Sequence, residues 1–388
     1  MASRDAEDTP GRSRAGALAG ARRVAVLRLD NAGDVILAGP VFRALRAALP
    51  RAKLLLVASP HGAAAAELLP WVDEVLVWRA VWQDAAGAMP FDPARESEAI
   101  DQLRAVGADA AIILTSFSQT PFAAGYACYL AGIPIRVGHA ELFGGGVLSH
   151  PIPGPAPDHQ AERDIHLLRG VGVVPAGDQL EARVPALVGA EVASRLREAG
   201  IPDGEPIVVA PGATCSARRY DPAAFGLAAA GLRSRIGRPI VILGGASERQ
   251  LGEAVVASVP DAIDFVGETS LAEAAGIVAS AGLVLTNNTL AMHLAEAFLR
   301  PVVVAYAGTD RESEWAPRRT AHVLLHEPTV CAPCRLFDCP FVGHPCLDIA
   351  PARMTAAGLD LLGASAGGDS LSAGVKRQSP VDVPIPRS

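Results

Sequence analysis

Val24-Ala25-Val26-Leu27-Arg28-Leu29 runs directly into Asp30-Asn31-Ala32-Gly33-Asp34-Val35. A short apolar run stops there at small and acidic residues, and a helical pattern follows. In the other half Ile207-Val208-Val209-Ala210-Pro211-Gly212-Ala213-Thr214 does the same. Leu283-Val284-Leu285-Thr286-Asn287-Asn288-Thr289 repeats the turn without the glycine. A strand that ends on small or hydroxyl residues and then opens a helix leaves backbone N–H groups pointing above the sheet, where an anion binds. Such turns in two halves predict a cleft with a carboxylate on one wall and phosphate donors on the other.

Working outward, β-branched runs alternate with helical stretches, the pattern of parallel βα units. Strands are expected over 24–29, 53–58, 74–78 and 110–115, then over 206–210, 239–243, 263–266, 283–286, 301–305 and 322–326. Helices are expected over 35–48, 61–69, 93–106, 121–131 and 159–170, then over 221–235, 248–258, 270–279 and 289–299. Gly144-Gly145-Gly146 and the four prolines that follow predict a long irregular loop over 144–158, near the cleft. The expected architecture is α/β, with two facing doubly wound domains. The first spans 21–185 and the second 186–363, between a disordered arm (1–20) and a disordered tail (364–388). Ligands of such sheets sit beyond the carboxyl ends of the strands.

With 388 residues, half of them apolar, the chain is long enough for two cores. Its net charge of −7 argues against nucleic acid as a partner. It has no uninterrupted apolar stretch of spanning length, and the expected location is cytoplasmic. Neither G-x-G-x-x-G nor G-x-x-x-x-G-K-[ST] occurs, which weakens nicotinamide and P-loop readings.

Three strand ends carry chemistry. Asp34 stands at or near a helix N-cap, where it is either a capping residue or a general base facing the cleft. Thr214, Ser216, Arg218 and Arg219 follow the strand that ends at Ala210, and read either as a pyrophosphate site or as an exposed basic turn. Cys215 beside them reads as a small filler. Asn288 and Thr289 open a helix with His293 one turn inside, where a neutral imidazole would donate to phosphate or to a neighbour. Trp78, Arg79 and Trp82, with His61, Arg136 and His139, line an acceptor groove or serve as ordinary loop anchors. Cys331-x2-Cys334-x4-Cys339-x6-Cys346 reads as a structural Zn2+ site, as reduced packing cysteines or as disulfides.

The separated motifs Arg28-x5-Asp34-Val35, Pro40-x4-Leu45, Pro211-Gly212-Ala213 with Arg218-Arg219-Tyr220, Val266-Gly267-x3-Leu271 and Asn287-Asn288-Thr289-x2-Met292-His293-Leu294-Ala295 occur in one order. Together, over residues 22–362, they resemble the glycosyltransferase family 9 heptosyltransferases. The resemblance implies a GT-B fold and inverting, metal-independent transfer of heptose from an ADP-sugar to a lipopolysaccharide core. It implies a nucleotide-sugar donor and a glycan or glycolipid acceptor, met by peripheral association at the inner face of the cell membrane. By motif, Asp34 takes the place of the base, and Thr214 and Ser216 those of the phosphate-loop hydroxyls. Arg218 stands where Lys is usual, and Glu248 where the nucleoside is contacted. Asn288, Thr289 and His293 match an Asp-Thr-Gly-x-x-His donor motif, with Asn288 in place of Asp and Leu290 in place of Gly. Those two departures leave open a UDP- or GDP-sugar donor, or nucleotide-sugar binding without turnover. Cysteine-rich ends also occur in relatives, which favours a structural clip.

Overall fold

A computed structural model describes residues 16–366, except 85–86, 141, 155–156 and 202–204. The first half contains β1 (Arg23–Arg28), β2 (Lys53–Ala58), β3 (Glu74–Val77), β4 (Ala110–Ile113), β5 (Ile135–His139) and β6 (His150–Ile152). Its helices are α1 (Ala32–Leu37), α2 (Gly39–Ala48), α3 (Pro93–Val106), α4 (Phe122–Leu130) and α5 (Gln160–Gly170). The helix α6 (Ala186–Glu198) precedes β7 (Ile207–Ala210), β8 (Ile240–Ile242), β9 (Ile263–Asp264), β10 (Leu283–Asn287), β11 (Val302–Ala305) and β12 (His322–Leu325). Around these pack α7 (Pro222–Ile236), α8 (Arg249–Val256), α9 (Leu271–Ser280), α10 (Leu290–Ala297), α11 (Glu312–Trp315) and α12 (Pro351–Ala366).

The strands form two parallel six-stranded sheets, ordered β3-β2-β1-β4-β5-β6 and β12-β11-β10-β7-β8-β9. The winding is the same in both: the first and fourth strands of each half lie side by side, and the order reverses between them. The central strands are apolar on both faces because helices cover both, as parallel sheets require. Sequence stops define the helices. Asp92 caps α3 by accepting from the N–H groups of Ala94 and Arg95, and Gly107 ends it in the left-handed region. Asp221 and Gly237 do the same for α7.

The largest apolar cluster runs from Val24, Leu56 and Ile112 in the first sheet to Val208, Val284 and Val304 in the second. The two halves therefore share a core.

Several expectations change. The helix expected over 35–48 begins at Ala32 and breaks at Ala38 into α1 and α2, so Asp34 sits inside the first turn and Asn31 is the N-cap. The loop expected over 144–158 contains β6, a short edge strand that tolerates exposed Pro151 because nothing pairs on its outer side. β5 and α6 carried no signal that was read. Residues 1–15 of the expected arm lie outside the described residues, whereas Gly16–Gly20 forms turns that bury Leu18. Of the expected tail, 364–366 belong to α12 and the rest lie outside the described residues.

Candidate active site

Both switch points, β1 beside β4 and β7 beside β10, carry the residues picked out by motif. In the first half, Asp34 is held by two donors. Arg28 Nη2 donates to Oδ1 at 2.9 Å, and the Asn31 N–H donates to Oδ2 at 3.1 Å, closing the first turn of α1. Each oxygen keeps a lone pair, and the side chain remains 16 % exposed. Capping and partial exposure thus coexist.

Asp34 adjoins the second half through Gly33. A Cβ at Gly33 would stand 3.1 Å from His293 Cδ2 and 3.4 Å from Leu290 Cα, so glycine is what lets α1 rest on the start of α10. The same contact explains how Leu290 is accommodated. His293 is buried, its Nδ1 has no hydrogen-bond partner among the described residues, and its ring lies 6.5 Å from that of Trp315. Burial, with Arg218 and Arg28 nearby, pushes its pKa down to about 3, so the ring is neutral at physiological pH.

The phosphate-loop residues are partly engaged. Thr214 is exposed. Ser216 donates to Asp338, and the Ala217 N–H donates to Phe337 O at 3.0 Å, so the cysteine-bearing segment rests on this loop. Arg218 pairs with Asp310 at 2.7 Å and donates from Nε to Thr309 Oγ1 at 3.1 Å; Arg335 takes the other Asp310 oxygen at 3.0 Å. Glu248 lies over Gly212, where a Cβ would collide with its carboxylate, and it accepts the Gly245 N–H at 2.8 Å. Thr289 is the N-cap of α10.

Asn288 Oδ1 accepts the Ala307 N–H at 3.1 Å, tying the end of β10 to the segment after β11. Its neighbour Asn287, to which the sequence reading gave no role, straps the two switch-point strands together. Nδ2 donates to Pro211 O at 2.8 Å and Gly212 O at 3.2 Å, while Oδ1 accepts the Tyr220 N–H at 3.0 Å. Asp310 and Arg335 were missed as well. The one available signal was Ala305-Tyr306-Ala307-Gly308-Thr309-Asp310, another strand end of the same small-and-hydroxyl type.

For Trp78, Arg136 and His139 the contacts support the reading as loop anchors. Arg136 and His139 do not line a groove. Arg136 donates to the carbonyls of Ile133, Pro134, Gly146 and Val147, and His139 Nε2 donates to Arg163 O at 3.0 Å. Trp78 is buried, donating to Glu96 at 3.1 Å, with Trp82 edge-on to it. The four clustered cysteines are free thiols, and Cys346 is pushed up by burial and by the other three. Among the described residues no three His, Cys, Asp or Glu side chains come together as metal ligands. Cys215 is buried with its thiol pushed up, which fits a filler.

Between the halves lies a cavity of about 660 Å³, lined by Phe117, Pro157 and Arg163 on one side and Arg311, Ser313 and Glu314 on the other. Part of the 144–158 segment therefore does border the cleft. No helix among the described residues is long and apolar enough to cross a membrane.

Residues 99–343 match the model of glycosyltransferase family 9 (heptosyltransferase). The chain belongs to this family and is a glycosyltransferase. The E. coli ADP-heptose LPS heptosyltransferase II has the same fold at 19% identity, with a TM-score of 0.68, covering 89% of this chain and 100% of that one. A family 9 glycosyltransferase of Veillonella parvula superposes with a TM-score of 0.70 at 19% identity, covering 88% and 97%. The E. coli heptosyltransferase WaaC with ADP gives 0.62 at 17% identity, covering 86% and 98%. Two facing Rossmann-like sheets in GT-B arrangement are thus the fold of this glycosyltransferase. No curated protein matches the chain significantly.

Proposed function

We propose that this enzyme transfers heptose from ADP-heptose, with inversion, to a lipopolysaccharide core or a related cell-surface glycan. The observation that carries the reading is the contact of α1 with α10, which brings the helix bearing the partly exposed Asp34 carboxylate against the start of α10, where the motif puts the donor. The acceptor hydroxyl gives its proton to Asp34 as its oxygen bonds to the anomeric carbon. The bond from that carbon to the diphosphate breaks on the opposite face, and ADP leaves. Thr214, Ser216, Thr289, Arg218 and the N–H groups opening α10 take up the charge on ADP. Neutral His293 donates to the same phosphates, and Glu248 contacts the nucleoside. To serve, Arg218 exchanges Asp310 for the diphosphate. The half spanning 21–185 holds the acceptor, in the cavity bearing Arg163 and Arg311, and the half spanning 186–363 holds the donor. A glycolipid acceptor would bring this cytoplasmic enzyme to the inner face of the membrane. Relatives of known structure include an ADP-heptose LPS heptosyltransferase and a heptosyltransferase with ADP, which supports this donor over a UDP- or GDP-sugar.

The test is Asp34→Asn with ADP release as readout and calorimetry as control. Turnover should fall by about 10³-fold while the Kd for ADP stays put. Near-normal turnover would remove Asp34 from the role of base, and tighter binding of UDP or GDP than of ADP would overturn the donor.

A further inference from the structure

Behind Asp34 the structure holds a buried charge cluster that the transfer step as written leaves unused. The Arg28 side chain is fully buried. Its Nη2 donates to Asp34 Oδ1 and, at 2.9 Å, to Ser116 Oγ beyond the end of β4. Its Nε lies 3.5 Å from Asp30 Oδ2, and Nη1 has no hydrogen-bond partner among the described residues. A third carboxyl, Asp164 on α5, lies within electrostatic reach of the same guanidinium and is 1 % exposed. Asp164 Oδ1 accepts from Gln160 Nε2 at 2.8 Å, while its Oδ2 is buried without a partner.

Three carboxyls around one buried cation cannot all be ionised at low dielectric. Their surroundings separate them. Asp34 takes a charged donor and a backbone N–H and reaches solvent. Asp30 has Gln119 Nε2 at 2.8 Å. Asp164 has only a neutral amide and no solvent. We propose that Arg28 is the positioning residue of the reaction, pinning and polarising the Asp34 carboxylate from below, and that Asp164 carries the proton of the cluster and so leaves the guanidinium's charge to Asp34. The inference rests on the reading of Asp34 as the base.

Burial is the main cause that raises Asp164, to about 7, and it raises Asp30 as well. The other charged groups acting on the cluster are Arg163, which lowers Asp164, and His293, which is neutral. Above about pH 7 an ionised Asp164 would compete with Asp34 for Arg28.

The experiment is the pH profile of kcat/KM for wild type, Arg28→Met, Arg28→Lys and Asp164→Asn, with ADP calorimetry on each. Arg28→Met should lower kcat about 100-fold at unchanged ADP affinity, with Lys restoring at least about tenfold. Asp164→Asn, which cannot ionise, should extend activity to higher pH than wild type. A folded Arg28→Met enzyme with wild-type kcat, no rescue by Arg28→Lys, or an Asp164→Asn profile identical to wild type would overturn the inference. Should Asp34→Asn be inactive while these outcomes occur, the base reading stands and only this inference falls. An active Asp34→Asn enzyme removes the base itself.

Discussion

At the scale of single residues, the side chains proposed to meet ligand are distinct from those that hold the loops. Asn287 is the clearest holder, because its amide answers two carbonyls and one N–H at the junction of β7 and β10. Asn287→Asp keeps the acceptor but sets a carboxylate oxygen against the Pro211 and Gly212 carbonyls. It should cost about 3 kcal/mol in urea denaturation and weaken ADP binding. Wild-type stability would show that the strap is dispensable. The placement of Asp34, Arg218 and His293 near strand ends was legible because residue type and distance from a strand end are local properties. Asp310 and Asp164 were not: what makes them matter is a partner far along the chain, Arg218 in one case and Arg28 in the other.

Among elements, the seam between α1 and α10 sets how close the helix bearing Asp34 comes to the start of α10 and, on the proposed reading, the distance between base and donor. Gly33→Ala forces either His293 or the Leu290 backbone to move by a few tenths of an ångström. The strain should cost about 1–3 kcal/mol and part the two helices. A lower melting temperature together with reduced kcat is expected, and a variant with both unchanged would show the seam to be slack. Long, strongly patterned elements such as α3 and α7 were readable from their caps. The edge strand β6 was not, since three residues containing proline look like loop until a sheet is there to receive them. The break at Ala38 was equally invisible, because both sides of it are helical in composition.

Across the whole molecule, the halves are fastened by polar contacts at the margin of their common core. Arg318 reaches Glu162, Asp178 and Glu296, and His159 Nε2 donates to Ala316 O at 3.1 Å. Burial and Arg318 push His159 down to about 3, so it is neutral when folded and takes a proton near 6.5 when unfolded. Acidification therefore favours the unfolded chain at this site, and stability is lost as pH falls below about 6.5. Wild type should lose about 2 kcal/mol more than His159→Gln between pH 7 and pH 5 in chemical denaturation. Equal losses would mean that the ring takes up its proton as readily in the fold as in the unfolded chain. Periodicity and turn chemistry were enough to expect two doubly wound sheets, whereas the way the halves lock together depends on contacts no single segment displays. The amino-terminal border shows this most simply. Leu18, upstream of the first strand, is sealed in the same core as Val24 and Leu45, so anyone trimming this enzyme for crystallisation should cut before Gly16. A start at residue 21, where composition invites it, would leave a greasy notch open to water and to neighbouring molecules.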